Sequence, residues 1–218
     1  QCNSGQDSLC LAARGAQVTG VDFSDEAIRF ARQLSSDAGL PATFTQAEVV
    51  DWMHTTPQRY DVAFASYGAL PWIEDLGRWF AGVHRILRPG GKLVCMEFHP
   101  LVWSFGPDLR PTQDDYFAHG PFVEPVSDYV GDSGASLQSE NEVVATNTLP
   151  ASSWQCTLAE TVTLVLKSGL SLTRVDEYPF ANGCRVHEKL EAAPGRRWVW
   201  PEGLARLPLM YSLVALRV

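Results

Sequence analysis

The residues best suited to chemistry fall at the ends of short β-rich runs. Asn3-Ser4-Gly5 is a turn that opens an apolar helix, and such a turn presents backbone N–H groups to a polar ligand. Asp22 closes the run Gln17–Val21 and lies 17 residues after Gly5. An acid in that place accepts hydrogen bonds from a ribose diol. Glu48 follows the run Thr43–Gln46. His99 closes the apolar run Val94–Phe98, and an imidazole there has a pKa suited to a general base near neutrality. Glu97, beside it, is expected to point down between strands. Asp114, Asp115 and His119 are further acid–base candidates in the irregular stretch that follows.

The elements that must position these groups follow from periodicity. Asn3 or Ser4 caps a helix from about Gln6 to Arg14, with Leu9, Ala12 and Ala13 on its apolar side and Gly15 as its stop. Ser24 caps a second helix, Asp25–Ala38, which ends at Gly39-Leu-Pro41. Tyr60–Ala65 is a near-continuous apolar strand, as expected where both faces of a parallel sheet are covered. Leu76, Trp79, Phe80, Val83, Ile86 and Leu87 form the stripe of a third helix, broken by Pro89-Gly90-Gly91, and Lys92–Phe98 is another buried strand. Thr157-Leu-Ala-Glu160 is a capping box that opens a helix to Ser168. Ser171–Tyr178 and Met210–Val218 are the last strands.

Strands alternating with helices predict a doubly wound, mostly parallel sheet between two helical layers. The closing helix–strand–loop–strand predicts a reversed last strand. Residues 1–98 form the first part of one core and 154–218 its completion. Between them, 99–153 is an irregular insertion rich in Pro, Gly, Ser and Asp, with a hairpin expected near Glu142–Thr148. Its aromatics Trp103, Phe105, Tyr116, Phe117, Phe122 and Tyr129 suit a lid over an apolar pocket. A dimer surface is the other use for them. Tyr178 and Asn182 are expected at the same mouth.

The 218 residues carry a net charge of −8, which disfavours a nucleic-acid partner. Hydrophobic residues make up 45%, enough to bury a full core, and no apolar run approaches a membrane span. The five cysteines contain no C-x-x-C pair, and the five histidines are scattered. A reducing cytoplasm is therefore expected, and no metal site.

A turn–helix–strand–acid unit alone fits NAD, FAD or S-adenosylmethionine. The remaining matches resemble the class I S-adenosylmethionine-dependent methyltransferases. Gln1-Cys-Asn-Ser-Gly5 falls on that family's G-x-G-x-G turn, keeping only the third glycine; Asn3 is the next best residue for a positive φ. Gly20-Val-Asp22-Phe23-Ser24, Phe44-Thr-Gln-Ala-Glu48-Val49 and Asp61-Val-Ala-Phe-Ala-Ser66-Tyr67 resemble the second, third and fourth motifs. Leu87-Arg-Pro-Gly-Gly-Lys92-Leu93 resembles the loop before the fifth strand. The resemblance covers everything except 99–153.

The resemblance implies a seven-stranded sheet, with its first strand expected ahead of Gln1. It implies S-adenosylmethionine as cofactor and S-adenosylhomocysteine as product. Cys2, Asn3, Gly5, Asp22, Phe23, Glu48, Val49, Ser66 and Tyr67 would hold the cofactor. Glu48 would meet the adenine amino group, and the Val49 N–H would meet the ring. His99 would serve as general base, while Trp103, Tyr116, His119 and Tyr178 would line the pocket of a small aromatic or apolar acceptor. The N/D-P-P-Y/F motif of base and glutamine methyltransferases is absent; Ala65-Ser66-Tyr67-Gly68 stands there. A monomer or homodimer is expected. Two rivals remain: a non-catalytic binder of the same cofactor, and an NAD(P)-dependent oxidoreductase, which would call for G-x-G-x-x-G.

Overall fold

The computed structural model describes residues 1–106, 110–112, 115–125 and 150–218. The hairpin expected near Glu142–Thr148, Asp114 and Tyr129 lie outside them. Helices α1 (Gln6–Ala12), α2 (Asp25–Ala38), α3 (Val49–Thr55) and α4 (Leu76–Ile86) alternate with strands β1 (Thr19–Asp22), β2 (Thr43–Gln46), β3 (Tyr60–Ala65) and β4 (Leu87–Phe98). A short hairpin pairs β5 (Phe122–Pro125) with β6 (Pro150–Ser153). Helix α5 (Leu158–Lys167) and strands β7 (Leu170–Tyr178), β8 (Phe180–Asn182), β9 (Glu191–Ala193), β10 (Arg197–Val199) and β11 (Met210–Arg217) complete the chain.

The main sheet has the order β3-β4-β11-β7. β3 and β4 run parallel, and β11 is antiparallel to both its neighbours. The reversed last strand is therefore present. β1 and β2 form a separate parallel pair. Among the described residues the strands thus lie in four separate sheets, with β1–β2 apart from the main one.

Helix ends follow local chemistry. The Ser24 hydroxyl accepts from the Ala27 N–H, and Gly39 closes α2 in a left-handed conformation at φ 61°. Thr157 and Glu160 form the expected capping box of α5. The Pro89-Gly90-Gly91 segment does not end the ladder. It is absorbed as a bulge, since Tyr60 pairs with Leu87 but Val62 pairs with Lys92. A Cβ at Gly91 would fall 2.9 Å from the Arg88 carbonyl oxygen, so only glycine fits this bend.

The largest core lies between α3, α4 and α5 and one face of the main sheet. Phe80, Leu87, Leu93, Cys95, Val165, Leu213 and Ala215 are fully buried in it. Leu9, Ile28, Ala31 and Phe44 pack α1 and α2 on the β1–β2 pair. Val102, Ala181, Leu190, Trp200 and Leu209 support the small sheet β8-β10-β9.

Two expectations are corrected. Val62 and Phe64 were expected to be buried on a face covered by helices, yet they are 48% and 45% exposed. That face of the main sheet also carries Val94, Met96, Arg174 and Tyr178, around a shallow hollow. Among the described residues no helix covers it, so the expected three layers are two over this sheet. Arg174, Asp176 and Ser212 of β7 and β11 stand on that face beside the apolar Phe64, Val94, Met96 and Val214. No helix among the described residues is long and apolar enough to cross a membrane.

Candidate active site

The opening turn is built against the end of β1. The Cys2 N–H donates to the Val21 carbonyl (2.9 Å), and the Gly5 N–H donates to the Cys2 carbonyl (2.9 Å). Asn3 takes φ 46° and Gly5 φ 77°. A Cβ on Gly5 would lie 2.8 Å from Ala31 Cβ, so the turn can sit this close to α2 only without a side chain. The buried Asp22 holds both flanks. Its Oδ2 accepts from the Asn3 N–H (2.9 Å) and its Oδ1 from the Ser24 N–H (3.1 Å). Each oxygen keeps a lone pair for a ligand hydroxyl. Phe23, next in sequence, is 74% exposed and offers a bare ring beside it.

Glu48 has a task that the sequence reading missed. It caps α3, accepting from the Val50 N–H (3.0 Å) and the Asp51 N–H (2.7 Å). Val49 is the first residue of that helix. On the far wall the Ser66 hydroxyl donates to Asp7 Oδ2 (2.8 Å), tying the end of β3 to α1. Tyr67 follows at φ 20°, a strained value for a tyrosine. Its hydroxyl donates to the Asn182 side-chain oxygen (2.8 Å), while the Asn182 amide nitrogen donates to the Gly195 and Arg196 carbonyls. The Gln1 side-chain amide donates to the Ala69 carbonyl (2.6 Å).

Asn3, Asp22, Phe23, Glu48, Ser66 and Tyr67 border one cleft of about 2420 Å³. It also runs between the facing edges of β1 and β3. Trp103, Trp154, Asn182 and Arg196 also border it.

Of the other predicted residues, Cys2 and Val49 also border the cleft, and Gly5 lies behind it in the turn. Trp103 reaches the cleft, 44% exposed and edge-on to Phe98. Tyr116, His119 and Tyr178 do not border it. The Tyr116 hydroxyl accepts from the Leu158 N–H (3.4 Å), His119 faces Glu160 (3.6 Å), and Tyr178 meets Ser212 (2.9 Å) on the open face of the sheet. His99 is corrected in the same way. Its Nδ1 accepts from the Leu101 N–H (3.2 Å), so its Nε2 carries the proton and donates to Glu177 (2.9 Å). Burial pushes its pKa down and Glu177 pulls it back up. Both nitrogens are occupied, away from the cleft. Trp154, Cys156 and Glu97 are cleft residues that sequence reasoning did not select. No periodic signal marks the first two, since they sit in the short link between β6 and α5.

Comparison with known proteins agrees with this arrangement. The family described as "Methyltransferase domain" matches residues 1–91. The 2-phytyl-1,4-naphtoquinone methyltransferase of Nostoc punctiforme is 31% identical over 189 residues, covering 84% of this chain and 74% of that protein. The ubiquinone biosynthesis O-methyltransferase of Proteus mirabilis is 33% identical over 92 residues, covering 42% of this chain and 37% of that protein. An S-adenosylmethionine-dependent methyltransferase structure from Mesorhizobium loti superposes with a TM-score of 0.63 at 21% identity, covering 99% of this chain and 88% of that one. The chain belongs to the class I S-adenosylmethionine-dependent methyltransferases, with the Rossmann-like α/β fold of that family. S-adenosylmethionine is its cofactor. The residues present fit that cofactor. A buried acid with free lone pairs ends β1, a side-chain-free turn abuts it, and hydroxyls line the opposite wall.

Proposed function

We propose that the chain transfers a methyl group to a small, aromatic or apolar acceptor held in the cleft. The observation that carries this reading is Asp22, buried at the strand end between two backbone N–H donors and facing the cleft. In this reading Asp22 grips the ribose, Asn3 and Gly5 shape the turn beside the methionine part, and Phe23 and Val49 flank the adenine. Glu48 steadies α3 and reaches the adenine amino group with the lone pairs that the cap leaves. Ser66 and Tyr67 form the wall nearest the reacting centre. Trp103 and Trp154, with the segment 99–153, make an apolar lid and acceptor wall. The quinone-biosynthesis names of the two relatives support an acceptor of this kind. The β1–β2 pair and the four-stranded sheet belong to one doubly wound arrangement.

The cofactor supplies a methyl group on a positively charged sulfur. The protein's work is to hold acceptor and methyl donor in line and to keep water out, which can supply much of the rate enhancement. No histidine is needed for that, and His99 is assigned a structural task instead. The net charge of −8 supports a metabolite over a nucleic acid as acceptor.

Calorimetric titration with S-adenosylmethionine, S-adenosylhomocysteine and NAD tests the reading. The sulfur compounds bind and NAD does not. Asp22→Ala weakens both by at least about tenfold, which is about 1.4 kcal/mol. Unchanged affinity in a folded Asp22→Ala variant would remove the central residue of the proposal.

A further inference from the structure

Glu97 is an ionisable side chain, 2% exposed and unused by the reading above. It sits at the carboxyl end of β4, and its side chain crosses to the loop that leaves β3. There Oε2 accepts from the Gly68 N–H (2.5 Å), and Oε1 accepts from Ala69 (2.7 Å) and Leu70 (2.9 Å). Three successive backbone N–H groups thus converge on one carboxylate, an anion-binding concavity filled from inside the protein. The loop they belong to begins with Tyr67 and Gly68, both at positive φ. Such a bend persists only when its surroundings over-determine it.

We propose that Glu97 is a positioning residue for the cofactor: its carboxylate fixes the 66–70 loop so that Ser66 and Tyr67 present the wall that the cofactor meets. The proposal rests on the reading that this cleft binds the cofactor. Both carboxylate oxygens are committed to the loop, so Glu97 holds rather than reacts. An apolar side chain here would leave three N–H groups without an acceptor, each costly in a buried place.

The clamp has a built-in sensitivity to pH. Burial pushes the Glu97 carboxyl up to about 7, although the loop N–H groups and that of Phe98 pull it down. Protonation turns one oxygen from acceptor to donor. Oε2, with a single partner, is the oxygen that gives way, and Gly68 is the N–H released. The neighbouring titratable groups stay neutral across this range. Burial raises Cys95 on the same strand, Tyr211 on β11 and Cys156 at the start of α5.

The test is calorimetric titration of the full chain with S-adenosylhomocysteine between pH 6 and 8.5, for wild type and Glu97→Gln. One unit below its midpoint about one carboxyl in eleven is ionised, so wild-type affinity falls about tenfold from pH 8 to pH 6. The amide of Glu97→Gln can satisfy Ala69 and Leu70 but not Gly68, so the variant binds weakly and with a much flatter profile. Hydrogen exchange of Gly68, Ala69 and Leu70 in wild type, corrected for intrinsic rates, rises below pH 7 and needs no variant to fold. Binding at pH 8 with no fall at pH 6, unaltered exchange, or a Glu97→Gln profile that overlays wild type overturns the clamp. No binding at pH 8 by a folded chain overturns the cofactor reading and the clamp with it.

Discussion

Asp22 and Glu97 are buried carboxylates that each accept from backbone N–H groups, yet they sit differently in the free-energy balance. Asp22 keeps lone pairs toward the cleft, whereas Glu97 gives its oxygens to one loop. Its folded pKa of about 7 lies above the ordinary 4.5, so the folded state binds the proton more tightly. The resulting stability is fully present below pH 4.5 and is lost as pH rises through 7. Across that window the loss approaches about 3 kcal/mol. Urea unfolding at pH 5, 6, 7 and 8 should therefore show wild type losing ground steadily to Glu97→Gln, then levelling. A constant difference would show that the carboxyl is not held this way. The ionised form that best holds the loop is thus the less stable one, a compromise common at functional sites. His99 obeys the opposite sign. Burial lowers its pKa, so its contribution is present above the ordinary 6.5 and is lost as pH falls below it. His99→Gln should lower thermal stability and leave turnover within about twofold. A true general base would lose about a hundredfold or more.

Elements with a chemical mark at each end were legible, and those without one were not. Ser24 and Gly39 bracket α2, and Thr157 with Glu160 announces α5; both helices fall where they were expected. Thr157→Ala should cost about 1 kcal/mol in chemical unfolding while leaving S-adenosylhomocysteine affinity unchanged, because that cap faces the core rather than the cofactor end. Helix α3 escaped because it is seven residues long, begins with two valines and is capped by a glutamate, which is not a preferred cap. The same oversight gave Glu48 a ligand role without its structural one. Strand β3 was read as covered on both faces from its apolar run, but composition does not say what lies above a strand. Val62 and Phe64 remain half exposed. Within the site, Asn3, Gly5 and Asp22 were legible because one short unit contains them. Glu97 was not, because its partners Gly68, Ala69 and Leu70 lie on another strand's loop and only topology brings them together.

At the scale of the whole molecule the cleft borders both the β1–β2 pair and the main sheet. Across it the Gln1 side chain donates to Ala69, and Ser66 donates to Asp7. A ligand that touches Asp22 on one side and Ser66 or Tyr67 on the other links the two walls of the cleft. It binds only the assembled form, so it stabilises by mass action, by about 2.7 kcal/mol at a hundred times its dissociation constant. Saturating S-adenosylhomocysteine should therefore raise the melting temperature in proportion to the logarithm of its concentration. Hydrogen exchange should slow in three separate stretches, residues 1–5, 19–22 and 66–70. The small sheet of β8, β9 and β10, with its own core around Trp200 and Leu190, should exchange as before beyond Asn182. Protection confined to the first two stretches would mean that the ligand rests on the β1–β2 piece alone, and the far wall of the cleft would then need another occupant.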